Sequence, residues 1–254
     1  MTLCIPSLSE QMLISASGLS RFYNDHAAVQ AVDVWLRKGE VLGLLGPNGA
    51  GKSTTMQMLT GNLAPTTGEI TINGIDLLDE PLRAKQQIGY LPEQPPVYRD
   101  LTVLEFLNYC AKLRNVPAKQ RKAAVEQASL RCGIEAVGQR LIGNLSKGYR
   151  QRVGIAQAIL HNPAVVILDE PTVGLDPIQI LEIRSLIREL GKDHGIILST
   201  HILPEVQAVC DRVQILNRGK TVFNDSLEGI TSLEQVFFEL IFREPVISQA
   251  EVAT

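Results

Sequence analysis

The 254-residue chain carries 24 Lys and Arg against 27 Asp and Glu, a formal net charge of −3, with 45% hydrophobic and 20% charged residues. This mixture is long and apolar enough to bury a core and excludes a disordered chain, and it lacks the basic surplus of a duplex-binding domain, so no nucleic-acid partner is expected. Cys4, Cys110, Cys132 and Cys210 form no CxxC pair and have no histidine at ligand spacing, so they read as free thiols.

The opening MTLCIPSLSEQ shows no basic segment followed by an apolar stretch, so no signal peptide is expected. The apolar runs at 41–45 and 164–168 fall far short of the ~20 residues a membrane-spanning helix needs. By itself the chain is expected to be soluble.

In chain order, residues 13–19 and 29–36 are short apolar or alternating segments, and Lys38-Gly39 makes a turn before the fully apolar 41–45. A Gly-rich loop and a helix from Ser53 to about Leu59 follow. Residues 68–73, with Thr-Gly and Asn-Gly punctuation, predict a hairpin edge. From Thr102 to about Arg131 the pattern is helical, punctuated by Pro95-Pro96 and Pro117. A helix after Gly148 runs to about Leu160, then come a buried strand at 164–168, a helix at 178–190 and a strand at 196–199. A helix near Pro204, a strand at 212–216 and an amphipathic stretch at 232–242 complete the series, and 244–254 is expected to fray. Strands alternating with helices predict an α/β fold with a mostly parallel sheet.

The strongest chemical signal is GPNGAGKST, comprising Gly46, Pro47, Asn48, Gly49, Ala50, Gly51, Lys52, Ser53 and Thr54, directly after an apolar strand. A Gly-rich loop lets successive backbone N–H groups turn inward around a polyphosphate without Cβ clashes, and the following helix adds its positive dipole end. Lys52 can reach the β- and γ-phosphates of ATP, and the Ser53 hydroxyl can ligate Mg²⁺. Further on, AVVILDEP drives an apolar strand into two adjacent acids, a costly arrangement unless something binds them. In P-loop NTPases the first acid, Asp169 here, holds the Mg²⁺ shell; the second, Glu170, suits orienting and deprotonating an attacking water.

Between these motifs stands NLSKGYRQRVGIAQAI, and with it the chain resembles the ATPase subunits of the ABC transporter family over residues 10 to 242. LSKGY is similar to the family's signature, usually LSGGQ. The resemblance implies that Ser146 and Gly148 contact the γ-phosphate held by an opposite protomer. Tyr23 matches the aromatic that stacks on adenine, with Phe22 the competitor for that role. Asp176 of GLDP would face the other protomer, and His201 of LSTHILPEV matches the histidine that touches the γ-phosphate. Where the family usually has Gln, Glu93 stands, with Gln94 one step later; the role near Mg²⁺ goes to Glu93, with Gln94 as fallback. Lys147 and Tyr149 stand where Gly and Gln are usual.

What the resemblance implies as a whole is a P-loop core with an antiparallel β edge and a helical subdomain inserted at 95–160, forming a single ATPase domain. Its function would be ATP hydrolysis in a head-to-tail dimer, a homodimer or a pair with a related subunit, that drives separate transmembrane permease subunits from the cytoplasmic face of the inner membrane. The alternative is a soluble ABC ATPase outside transport. The combination of YLPE, LSKGYRQR and SLEQVFFEL is most similar to bacterial exporter-type and gliding-motility-type systems.

Overall fold

The computed structural model describes residues 11–242; Cys4, most of the opening segment and the tail at 244–254 lie outside them. The chain opens with β1 (Met12–Tyr23) and β2 (His26–Arg37), a long antiparallel hairpin. Next come β3 (Val41–Leu45) and α1 (Lys52–Leu59), then β4 (Thr67–Ile72) and the short β5 (Ile75–Asp76). Asn73 and Gly74, at φ 48° and 76°, turn β4 into β5, and a two-residue hairpin loop favours Asn-Gly for this reason. These strands make one antiparallel sheet in the order β2-β1-β4-β5, the β edge expected from the sequence.

The chain continues through α2 (Pro81–Gln86), β6 (Ile88–Leu91), α3 (Val103–Leu113), α4 (Arg121–Cys132), α5 (Lys147–Ile159) and β7 (Val165–Asp169). Then follow α6 (Pro177–Leu190), β8 (Gly195–Thr200), α7 (Leu203–Val209), β9 (Arg212–Asn217), β10 (Lys220–Ser226) and α8 (Leu233–Phe242). Strand order in the second sheet is β10-β9-β3-β8-β7-β6, parallel except for β10. The helical pattern at 102–131 resolves into two helices. Thr102 and Glu105 cap α3 reciprocally, Asn115 takes φ 58°, and Pro117 cannot continue a helix interior.

Alternation along the parallel strands sorts the core into two faces. Leu42, Leu44, Val165, Ile167 and Ile197 pack toward α1 and the antiparallel sheet, where Met56, Met58 and Leu59 are fully buried. Val41, Leu45, Val166, Leu168, Ile196 and Leu198 face α3 to α8. A strand buried on both faces has no room for polar side chains along its length, so its polar residues gather at the ends. Register then aligns those ends, pairing Leu45 with Thr200 and Asp169 with Ser199.

Arg212 ties the two sheets together. It is 5% exposed, donates to Glu40 Oε1 at 2.6 Å, to Asn224 Oδ1 at 2.5 Å and to the Trp35 carbonyl at 2.5 Å, and lies over the Trp35 ring. Glu40 also accepts the Arg37 backbone N–H. Removing one partner of such a buried pair strands the other charge, so Glu40→Ala should cost about 3 kcal/mol. In a thermal melt the midpoint should fall by about 6 °C or more; an unchanged midpoint would mean that Arg212 is not bound by Glu40.

Candidate active site

The loop from Gly46 to Gly51 leaves the buried end of β3 and opens α1. Its path needs two glycines. A Cβ at Gly46 would collide with the Leu216 carbonyl oxygen; Gly51 sits at φ 103°, where a Cβ would meet the Ala28 carbonyl oxygen at 2.8 Å. Lys52 is 7% exposed and folds back so that Nζ donates to the Gly46 carbonyl at 2.8 Å and to the Pro47 carbonyl at 3.3 Å. Burial lowers its pKa, while the nearby Glu170 and Asp169 carboxylates pull in the opposite direction.

β7 ends one strand away. Burial raises the Asp169 carboxyl pKa; Glu170 and Glu93 add to the rise, and the Ser199 hydroxyl and Lys52 oppose it. Glu170 takes φ 48°, a conformation that non-glycine residues seldom hold, and its N–H donates to the Ser199 carbonyl at 3.0 Å. Its Oε1 lies 2.9 Å from His201 Nδ1 at the end of β8, and its Oε2 is buried with no partner. A buried carboxylate oxygen left open in this way marks a place for a water or ligand hydroxyl.

These groups surround a cleft of about 440 Å³ walled by residues 48–54, Glu93, Glu170 and His201. Asp169 lies behind that wall, close enough to interact with Lys52, Glu93 and Glu170. Gln94 is not part of the lining, whereas Glu93 is. Tyr23 is 46% exposed and stacks under the Arg21 guanidinium at 5.0 Å; Phe22 is 45% exposed. Neither ring lines the cleft, but His26 does, and it pairs with Tyr23 across the β1–β2 turn. His26 has no motif around it and is missed in the sequence; only the hairpin register brings it to the cleft. Val173 and Ala28 line it as well.

Ser146, Gly148 and Asp176 are elsewhere, lining a second cleft of about 440 Å³ together with Tyr149, Arg152 and Gln179. Ser146 caps α5, its Oγ accepting the Tyr149 N–H at 3.3 Å. Asp176 caps α6, accepting from the Ile178 and Gln179 N–H groups at 3.0 Å. Thus the structure brings Lys52, Ser53, Glu93, Glu170 and His201 together within one cleft and places Ser146, Gly148 and Asp176 in the lining of another.

Comparison with known proteins gives a consistent result. The family described as ABC transporter matches residues 29–173. The ABC transporter ATP-binding protein NatA of Bacillus subtilis is 37% identical over 229 residues, covering 88% of this chain and 93% of its own. A solved ATP-binding subunit of an ABC transporter superposes with a TM-score of 0.81 at 32% identity, over 90% of this chain and 99% of the other. CbiO1 of Clostridium perfringens, part of the ABC transporter complex CbiONQ, follows at TM-score 0.78 and 30% identity, covering 85% and 89% of the two chains.

Proposed function

This chain belongs to the ABC transporter family, and we propose that it is the motor subunit of a membrane transporter, hydrolysing ATP in the cleft between the Gly46–Thr54 loop and the Glu170–His201 pair. The observation that carries the reading is the convergence of these groups at the ends of adjacent parallel strands, with one Glu170 oxygen buried and unpartnered. The substrate is ATP and the products are ADP and phosphate. Lys52 and the loop amides bind the phosphates. Glu170 takes the proton from a water whose oxygen attacks the γ-phosphorus, while the bond to the bridging oxygen breaks toward ADP. His201, tied to Glu170 through Nδ1, fixes the carboxylate and turns its other ring nitrogen to the γ-phosphate. Tyr23, beside His26, takes the adenine.

The donor set fits Mg²⁺. Ser53 offers a hydroxyl and Asp169 a carboxylate, both hard oxygen ligands, and Glu93 is available to the ion's waters. Among the described residues no group of three His, Cys, Asp or Glu is gathered to cage an ion unaided. That suits an ion which keeps phosphate and water oxygens in its shell. When bound, it neutralises charge on the phosphates.

Exposed Ser146 and buried Gly148, at the start of α5, line a cleft separate from that of their own chain's phosphate loop. We assign them to the γ-phosphate of a second subunit in a head-to-tail dimer, of this chain or of this chain with a related one, with Asp176 facing that subunit. Among the described residues no helix is long and apolar enough to cross a membrane. We assign the transport path to separate permease subunits, with this chain on the cytoplasmic face of the inner membrane and residues 95–160 as its helical subdomain.

Replacing Glu170 by Gln should preserve ATP binding and slow turnover by about 10²-fold or more. Parental turnover in a steady-state phosphate-release assay would exclude Glu170 as the base. In that Glu170→Gln background, Mg-ATP should drive dimerisation visible by size-exclusion chromatography. Adding Ser146→Arg places a long side chain where the second subunit's phosphate docks, so dimerisation should be lost while the monomer still binds ATP. Persistence of the dimer would reduce Ser146 to a helix cap.

A further inference from the structure

Glu205 sits in the first turn of α7 and is 1% exposed. Among the described residues it forms no ion pair. Its two carboxylate oxygens are instead shared between two loops: Thr172 Oγ1 donates to Oε1, and Thr200 Oγ1 donates to Oε2 at 2.7 Å. Both threonines are buried, at 3% and 0% exposure. Thr200 Oγ1 also accepts the Ile202 N–H at 3.1 Å, which fixes the direction of its own proton toward the carboxylate.

The positions of these donors matter. Thr172 lies two residues after Glu170, and Thr200 lies immediately before His201. One buried carboxylate thus bridges the loop that carries the proposed base to the loop that carries its histidine partner. Glu170 holds φ 48°, a backbone state that persists only where surrounding contacts enforce it, with its N–H on the Ser199 carbonyl at 3.0 Å and its carbonyl accepting the Val173 N–H at 3.3 Å. A charge-assisted bond on each side of the Glu170–His201 contact adds a buried side-chain tie between the two loops.

We infer that Glu205 is a positioning residue for ATP hydrolysis: by holding Thr172 and Thr200 together it keeps the Glu170 carboxylate and the His201 imidazole at their 2.9 Å contact. It touches neither substrate nor reacting atoms. The inference rests on the hydrolytic reading above, and the test separates the two.

Thr172→Val keeps the side-chain shape and removes the hydroxyl; Thr172→Ser keeps the hydroxyl. Glu205→Gln keeps shape and removes charge. Each protein would be assayed for ATP turnover, KM for ATP and thermal midpoint. Thr172→Val should lower kcat by about 10- to 100-fold, the scale of a small misplacement of a catalytic group. KM for ATP should stay within about 2-fold, because Lys52 and the phosphate loop are untouched. Thr172→Ser should recover kcat to within about 3-fold of the parent, and Glu205→Gln should fall between the parent and Thr172→Val. If Glu205→Gln does not fold, the Val and Ser pair decides alone. Parental kcat in Thr172→Val overturns the inference, as does a Val defect that Ser fails to restore. A parent chain that binds ATP but hydrolyses none overturns the hydrolytic reading, and Glu205 then has no reaction to position.

Discussion

Parallel pairing of β7, β8 and β3, each buried on both faces, is the constraint from which the site follows. Along these strands a polar side chain would lose its water without gaining a partner, at a cost of several kcal/mol for a charge. Polar residues are therefore confined to the carboxyl ends, and parallel register brings those ends side by side. Asp169 opposite Ser199 and Leu45 opposite Thr200 leave Glu170, His201 and the Gly-rich loop nowhere to go but a common edge. α1 then rises from the loop with its N-terminus toward the same edge.

This crowding has an electrostatic consequence. Lys52 is buried beside two carboxylates, and Asp169 is buried beside two others. Burial disfavours the charged form of both groups, and Lys52 and the carboxylates partly restore each other. The carboxylates Asp169, Glu170 and Glu93 outnumber the single lysine, so the edge favours a bound cation, whereas the loop amides, Lys52 and the dipole of α1 favour an anion. The proposed Mg-ATP would answer both demands at once.

Much of this was legible in the sequence because the signals are local. GPNGAGKST after an apolar strand, ILDEP at the end of another and STH at the end of a third each carry strand, end and chemistry within ten residues. The alternating strand and helix pattern gave the α/β class and most element positions. Elements that depend on tertiary partners were not legible: β6 is four residues long, α2 is six, and β10 pairs antiparallel on the edge of an otherwise parallel sheet. His26 reaches the cleft through hairpin register, and Glu205 meets Thr172 across 33 residues of chain. Periodicity and motif spacing are silent about contacts of that range. Glu93 and Gln94 are adjacent and not separable by motif; it is Glu93 that the chain after β6 turns into the cleft lining.

The departure at Lys147 also finds a physical account. A lysine in place of the usual glycine would seem to crowd the helix start where an incoming phosphate must approach. Its side chain instead runs back over Gly174, close enough that a Cβ there would collide with Nζ. Gly174 takes φ 70° at the turn leading to Asp176, so it is glycine for backbone reasons and leaves the space that the lysine fills. At Gly148, one residue on, a Cβ would meet the Gln179 side chain at 2.6 Å. The lysine is thus accommodated by its own chain, next to Ser146 and Gly148 where they line the second cleft. The lysine is compatible with the anion-facing role proposed for Ser146 and Gly148.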